Sequence, residues 1–426
     1  NKHDRVIYSI TFLAGFSFLV YEVSWNRYLS LILGTTVIAS TIVLMAFMTG
    51  FGFGALYLGK KANKTKKQGK FLAFLLTAIG ITSLLNFLFI GGILTSVHKI
   101  FDNFTTANYA LFVLIFVLLT VPAFFMGGII PIVSRLVIKE NSDVPKKMGT
   151  IYASETFGST FGGLATGFIF LGTFGQKETI YVAVVINFLI AIYMFFTKKF
   201  GNFTVNENKN SAKIHGNSEK SSRIAIISTL IFGFAILALQ VLWIRVFKTY
   251  FTNTSYSFTL ITAFSILGIA IGSWSYRNNN AKIKSNDIAM IKTIGLLTLL
   301  TIIGFFVLLY LPEILLKPLR NTLESSFLRL IIVPVIASFI VVLPPAVVSG
   351  FAFPLACNMY SNGAENISKN VGKILTYNTI GSVAGPAFAT FLLIPLLGSA
   401  KSILFVVFVL LAIMWYLSKQ IICDKK

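Results

Sequence analysis

GFSFLVYEVSWNRYL, residues 15–29, returns 218 positions later as GFAILALQVLWIRVF, residues 233–247. Gly15, Glu22, Trp25 and Arg27 thereby meet Gly233, Gln240, Trp243 and Arg245, and the same spacing joins Thr36, Gly50 and Gly54 to Thr254, Gly268 and Gly272. A second block recurs at a spacing of 223: Pro122, Gly127, Pro131, Gly149, Glu155, Thr156, Gly158, Ser159, Gly162 and Gly175 become Pro345, Gly350, Pro354, Gly372, Asn378, Thr379, Gly381, Ser382, Gly385 and Gly398. Solenoids and propellers repeat every 20–50 residues. Here the period is half of a 426-residue chain, so the sequence predicts two homologous halves.

The chain is 56% hydrophobic, only 12% charged, and has a mean hydropathy of +0.82. Soluble domains carry about twice that share of charge. Apolar runs of roughly 20 residues, enough to cross a bilayer as a helix, recur throughout, and twelve spans are predicted. They cover 6–33, 36–59, 71–95, 108–138, 148–172 and 179–197, then 222–250, 254–276, 287–311, 328–356, 370–395 and 398–418. The first is too long for a cleavable signal peptide, and no small-residue cleavage site follows it. The expected organisation is an N-terminal six-helix half at 1–197, a polar linker at 198–223 and a C-terminal six-helix half at 224–426.

The net charge of +22 is placed asymmetrically. Lys60, Lys61, Lys64, Lys66, Lys67 and Lys70 share one short connection; Lys139, Lys146 and Lys147 share another; Lys198, Lys199, Lys209, Lys213, Lys220 and Arg223 occupy the linker. With Arg277, Lys282, Lys284 and the terminal lysines, all fall on one face if both termini do. The positive-inside rule makes that face cytoplasmic in an inner or plasma membrane. The partners expected there are the bilayer and its anionic lipids, not nucleic acid.

The two cysteines, Cys357 and Cys423, give no disulfide framework. His3, His98 and His215 lie outside the predicted spans, and no HExxH, CxxC or paired-histidine spacing occurs, so no metal site is expected. Gly50, Gly52 and Gly54 imitate a dinucleotide fingerprint, which needs a strand–turn–helix setting. Inside an apolar span, close helix packing is the better reading. Without a P-loop or a nucleophile–histidine set, no cofactor is expected and enzymatic activity is disfavoured.

An all-α integral membrane protein of two parallel six-helix repeats is similar to the plan of the major facilitator superfamily. There the halves are related by an axis along the membrane normal and substrate binds between them. Ionisable side chains within spans are costly and mark function by default. Glu22 and Glu155 are such groups, and their counterparts Gln240 and Asn378 are neutral amides. These four, with Arg27 and Arg245, are the candidate substrate- or ion-binding residues. Arg135 and Glu155 are candidates for a structural ion pair, and Trp25 and Trp243 for interfacial anchors. Pro122, Gly127 and Pro131, with Pro345, Gly350 and Pro354, are candidate hinge or gate positions, since an internal proline removes a helix hydrogen bond and bends the rod. A fixed kink that only shapes packing is the alternative.

GFSFLVYEVSWNRYL (15–29), MTGFGFGALYLG (48–59), FMGGIIPIVSR (125–135), GTIYASETFGSTFGG (149–163) and GKILTYNTIGSVAG (372–385) together resemble the membrane domain of fused transporter/spermidine-synthase-like proteins. The resemblance implies a major-facilitator-type bundle and a polyamine-like substrate class. It also implies asparagine at the position of Glu155, where this chain departs. No stretch after Tyr416 has the length or glycine–acid motif for a nucleoside cofactor, so aminopropyltransferase activity is not expected of this sequence. Two functions lead: a secondary transporter of a small metabolite working by alternating access, with a cationic, polyamine-like substrate the first candidate and an anionic or zwitterionic one open, or a transporter-shaped subunit that holds a protein partner or a separate modifying enzyme; a membrane enzyme acting on a lipid or lipid-linked substrate is the weaker third.

Overall fold

The computed structural model describes residues 2–33, 36–100, 104–140, 143–197, 219–250, 255–318, 326–360 and 366–423. In the first half the helices are α1 (Lys2–Leu33), α2 (Thr36–Lys64), α3 (Gln68–Ile100), α4 (Phe104–Gly127), α5 (Ile129–Val137), α6 (Val144–Ala165), the single turn α7 (Leu171–Thr173) and α8 (Gly175–Phe196). The second half has α9 (Glu219–Tyr250), α10 (Ser255–Asn279), α11 (Asn286–Leu309), α12 (Ser326–Val341), α13 (Leu343–Tyr360), α14 (Ile367–Phe388) and α15 (Ile394–Cys423). The linker falls mostly outside the described residues; its last five positions already belong to α9, because the helix extends one turn past the apolar run.

Nine of these stretches are long and apolar enough to span a membrane, and the pair Ile332–Val341 and Leu343–Tyr360, bent by 46°, makes a tenth. Two more complete the twelve. The apolar stretch Ile367–Gln420 is 54 residues long and is divided by Gly398, whose φ of 72° is not helical. The segment Val144–Thr173 is less apolar because it is an inner helix, lined with glycine, serine and threonine that face other helices instead of lipid.

The repeat extends to backbone irregularities. The π-helical turn Thr166–Phe170 at the end of α6 has its counterpart, 223 residues on, in Ala389–Leu393 at the end of α14. Among the described residues the two glycines with positive φ are Gly175 (80°) and Gly398 (72°), the same position in each half. Left-handed backbone is cheap only for glycine, and here it turns the fifth crossing into the sixth.

Glycine also sets the helix contacts. A Cβ on Gly158 would strike the Phe12 carbonyl and one on Gly162 the Phe16 carbonyl; Gly381 and Gly385 stand in the same relation to Leu230 and Phe234. Thus α1 and α6 run side by side at backbone distance, as do α9 and α14. Gly54 and Gly272 seat α2 on α4 and α10 on α13 in the same way, against Phe124 and Val347. This is the small-residue packing that lets helices approach within lipid.

The proline-rich fourth and tenth crossings break this symmetry. In the second half the bend falls at Val342, just before Pro344 and Pro345, where the missing amide donors interrupt the helix. In the first half the chain runs through Pro122 inside α4 and is interrupted only at Gly128, just before Pro131. Gly127 and Gly350 sit against the backbone of Phe51 and Ile269, so their small size is already required by packing.

Candidate functional site

Two seams join the halves: α2 lies along α14, and α6 along α10. At the end that carries the lysine-rich connections, Ser368 Oγ donates to the Gly59 carbonyl at 3.1 Å, and a Cβ on Gly149 would lie 3.0 Å from the Ser273 carbonyl. At the opposite end Thr41 Oγ1 and Thr390 Oγ1 share a hydrogen bond of 2.7 Å, and Thr259 covers Gly167. At the threonine end the two contacts are one interaction seen twice, once per seam; at the lysine-rich end the counterpart of Gly149 on Ser273 is Gly372 on the Ala55 carbonyl. The halves therefore touch at both ends.

Between them lies a cavity of about 170 Å³. Glu22, Glu155, Gln240 and Asn378 all lie on its wall. Glu22 and Glu155 are only 6% and 7% exposed, and among the described residues neither carboxylate has a hydrogen-bond or ion-pair partner. An unpaired buried charge is costly enough that it normally finds a counter-ion or a proton. The parallel register of α1 and α6 places Glu155 nearer the lysine-rich end and Glu22 roughly 15 Å further along the bundle, at 1.5 Å per residue. The repeat sets each acid at the position of its amide counterpart in the other half, so the wall carries two such carboxylate–amide pairs.

The two walls differ in chemistry. Where the first half supplies Leu44, Phe47 and Met126, the second supplies Thr262, Ser265 and Ser349 at the equivalent positions. Gln240 Nε2 donates to Thr262 Oγ1 at 3.0 Å. Asn378 Oδ1 rests against the backbone of Gly233, and Ser265 Oγ is buried without a partner among the described residues. One wall is therefore acidic on an apolar bed, and the other is rich in neutral hydroxyls and amides. Among the described residues no lysine, arginine or histidine lines the cavity. Toward the lysine-rich end it is floored by Tyr152 and Phe353, one from each half, stacked with centroids 4.3 Å apart.

The other sequence-derived candidates lie elsewhere. Arg27 and Arg245 are absent from the cavity wall; Arg27 is half-buried and Arg245 exposed. The Pro122, Gly127, Pro131, Pro345, Gly350 and Pro354 positions flank the cavity without lining it, although their neighbours Met126, Ser349 and Phe353 do. The Arg135–Glu155 ion pair does not form, since α6 turns Glu155 toward the cavity. Trp25 and Trp243 are not interfacial anchors: they are 0% and 2% exposed, with Trp25 inside the bundle against Tyr28 and Phe87. The tryptophans follow the buried stripe of α1 and α9, which outweighs the indole preference for the interface. Asn187 serves packing, bridging Ser17 Oγ at 2.9 Å and Tyr21 Oη at 3.0 Å.

Sequence reasoning missed Ser265, Ser349, Tyr152 and Phe353. The two serines were detectable as hydroxyls opposite Phe47 and Met126 in the repeat. The aromatic stack pairs residues that are not equivalent, so the repeat carried no signal for it.

No family model matches the sequence, and no curated protein matches it. Solved structures do. The E. coli fucose:proton symporter superposes with a TM-score of 0.59 at 13% identity, covering 97% of each chain. The human organic anion transporter MFSD10 gives 0.61 at 11% identity over 97% of this chain and 98% of its own. A bacterial homologue of the iron transporter ferroportin in its outward-facing state gives 0.58 at 12% over 97% of each chain. The chain has the major-facilitator fold. The cavity described above occupies the space between the two repeats of that fold. Identity this low carries the fold and leaves the function open.

Proposed function

We propose that this major-facilitator protein is a secondary transporter of a small, cationic metabolite with hydrogen-bonding groups, moved by alternating access between the two halves. The observation that carries the reading is the pair of unpartnered carboxylates, Glu22 and Glu155, on the wall of a cavity that no described basic residue lines. Such a wall favours a cation, because a buried anion would add like charge to an uncompensated site. The hydroxyl and amide wall supplies acceptors and donors for the remaining polar groups of the cargo, and Phe47, Phe51 and Phe232 supply apolar surface. The resemblance to transporter/spermidine-synthase-like proteins makes polyamine-like amines the first compounds to try.

The contacts at both ends of the seams would have to open in turn. Breaking the Thr41–Thr390 and Thr259–Gly167 contacts would open one end, and breaking the Ser368–Gly59 contact and the Tyr152–Phe353 stack the other. The test is uptake of radiolabelled mono- and diamines into proteoliposomes, with Glu22→Gln and Glu155→Gln as controls. Saturable uptake abolished by either variant supports the reading. No uptake across amines, amino acids and organic anions overturns it.

A further inference from the structure

On the outside of the α6–α10 seam, near the lysine-rich end, an open groove of about 400 Å³ runs between Phe12, Phe157, Phe161, Trp274 and Arg277. We infer that it is a binding site for an anionic phospholipid, with the lipid phosphate on Arg277 and an acyl chain along the aromatic floor.

The apolar part is assembled from three helices. Phe12 and Phe161 meet at 6.0 Å, and Phe157 meets Trp274 edge-on at 6.1 Å. Phe161 and Trp274 are each about half exposed, so the floor faces the surroundings of the bundle. Arg277 lies in the last turn of α10, past its apolar run. Its guanidinium stands 5.7 Å from the centre of the Trp274 ring, and its stem rests on Gly149. Arg277 Nε is buried and has no hydrogen-bond partner among the described residues. The acidic groups closest to this corner, Asp4 and Asp143, are both on Lys147, at 4.0 and 2.7 Å. A cation held past the apolar run with an unused donor, above an apolar trough, matches a phosphate above an acyl chain.

The repeat shows that the groove is no by-product of the fold. At the equivalent positions along the α2–α14 seam stand Leu230, Ile380, Ala384, Leu56 and Gly59. That seam has neither the aromatic floor nor the arginine, and Lys373, one of the lysines beside it, is on Tyr360.

The experiment is quenching of Trp274 fluorescence by phospholipids with brominated acyl chains. Trp415, 66% exposed, is first replaced by phenylalanine; Trp25 and Trp243 are shielded inside the bundle. The Trp415→Phe protein is reconstituted with brominated phosphatidylglycerol or brominated phosphatidylcholine at equal mole fraction. Quenching should be about threefold stronger with phosphatidylglycerol. Arg277→Gln should bring the two lipids level, and Arg277→Lys should keep part of the preference. Equal quenching by both lipids in the parent protein overturns the proposal without any variant. An undiminished preference in Arg277→Gln overturns it too, because it would assign the preference to the basic face as a whole.

Discussion

Gln240 and Glu22 hold the same position in the two halves, yet only Gln240 has a partner. Its Nε2 donates to Thr262 Oγ1 at 3.0 Å, while the residue equivalent to Thr262 is Leu44. The change from amide to carboxylate and the change from hydroxyl to methyl occur together. The first half thus carries a charge and lacks the hydroxyl that satisfies the amide in the second half.

Glu22→Gln therefore separates charge from shape. A hydrogen bond to a charged group contributes about 1.5–3 kcal/mol, and 1.4 kcal/mol is about tenfold in affinity. Cation binding to the purified protein, followed by titration calorimetry, should weaken by roughly tenfold to hundredfold in Glu22→Gln. The melting temperature should hold or rise, because an unpaired buried charge has been removed. Unchanged affinity would exclude Glu22 from the binding site.

If a cation binds at Glu22 and Glu155 as proposed, protons compete with it for the same carboxylates, and the sign of the pH effect is fixed. Protonation of Glu22 or Glu155 removes the charge that attracts the ligand, and affinity should fall as the pH is lowered. In the double variant Glu22→Gln with Glu155→Gln that dependence should flatten for a ligand whose own charge is constant, such as a quaternary amine. A slope retained in the double variant would place the titrating group elsewhere.

Glycine positions divide into those required by contact and those that are free. A Cβ at Gly158 or Gly381 would strike a backbone carbonyl, of Phe12 or Leu230, that cannot rotate away. Overpacking of this kind costs about 1–3 kcal/mol. Gly158→Ala and Gly381→Ala should each lower the thermal midpoint of the detergent-solubilised protein by several degrees. Gly172→Ala, with no atom within 4 Å of the new Cβ, should leave it in place.

The architecture was readable because each half had to solve the same packing problem. Pairs such as Gly158 and Gly381 survive where a carbonyl of the neighbouring helix leaves no room. The change of spacing from 218 to 223 also has a place: the five extra residues fall between the start of α11 and Pro345, after the last position that keeps the 218 spacing. The acids stood out because hydrocarbon tolerates few of them. What stayed hidden depends on rotation about helix axes. A sequence shows Trp25 near a span end, but only the packed bundle shows it turned toward Phe87. The Tyr152–Phe353 stack joins residues that occupy different positions in their halves, so no internal comparison could find it.

Alternating access makes a last demand on the seams. If Thr41 and Thr390 must part for cargo to pass, a covalent link there should stop transport while leaving the cavity intact. Their hydroxyls lie 2.7 Å apart, which brings the two side chains within the range that paired cysteines bridge after small adjustments. In a protein with Cys357 and Cys423 replaced by serine, the double variant Thr41→Cys with Thr390→Cys should form a disulfide on oxidation and lose uptake. Dithiothreitol should restore uptake in the same proteoliposomes, which distinguishes a lock from a folding defect. Each single cysteine variant should transport under both conditions. Full transport by the oxidised, demonstrably cross-linked protein would mean that this end of the seam does not open during the cycle.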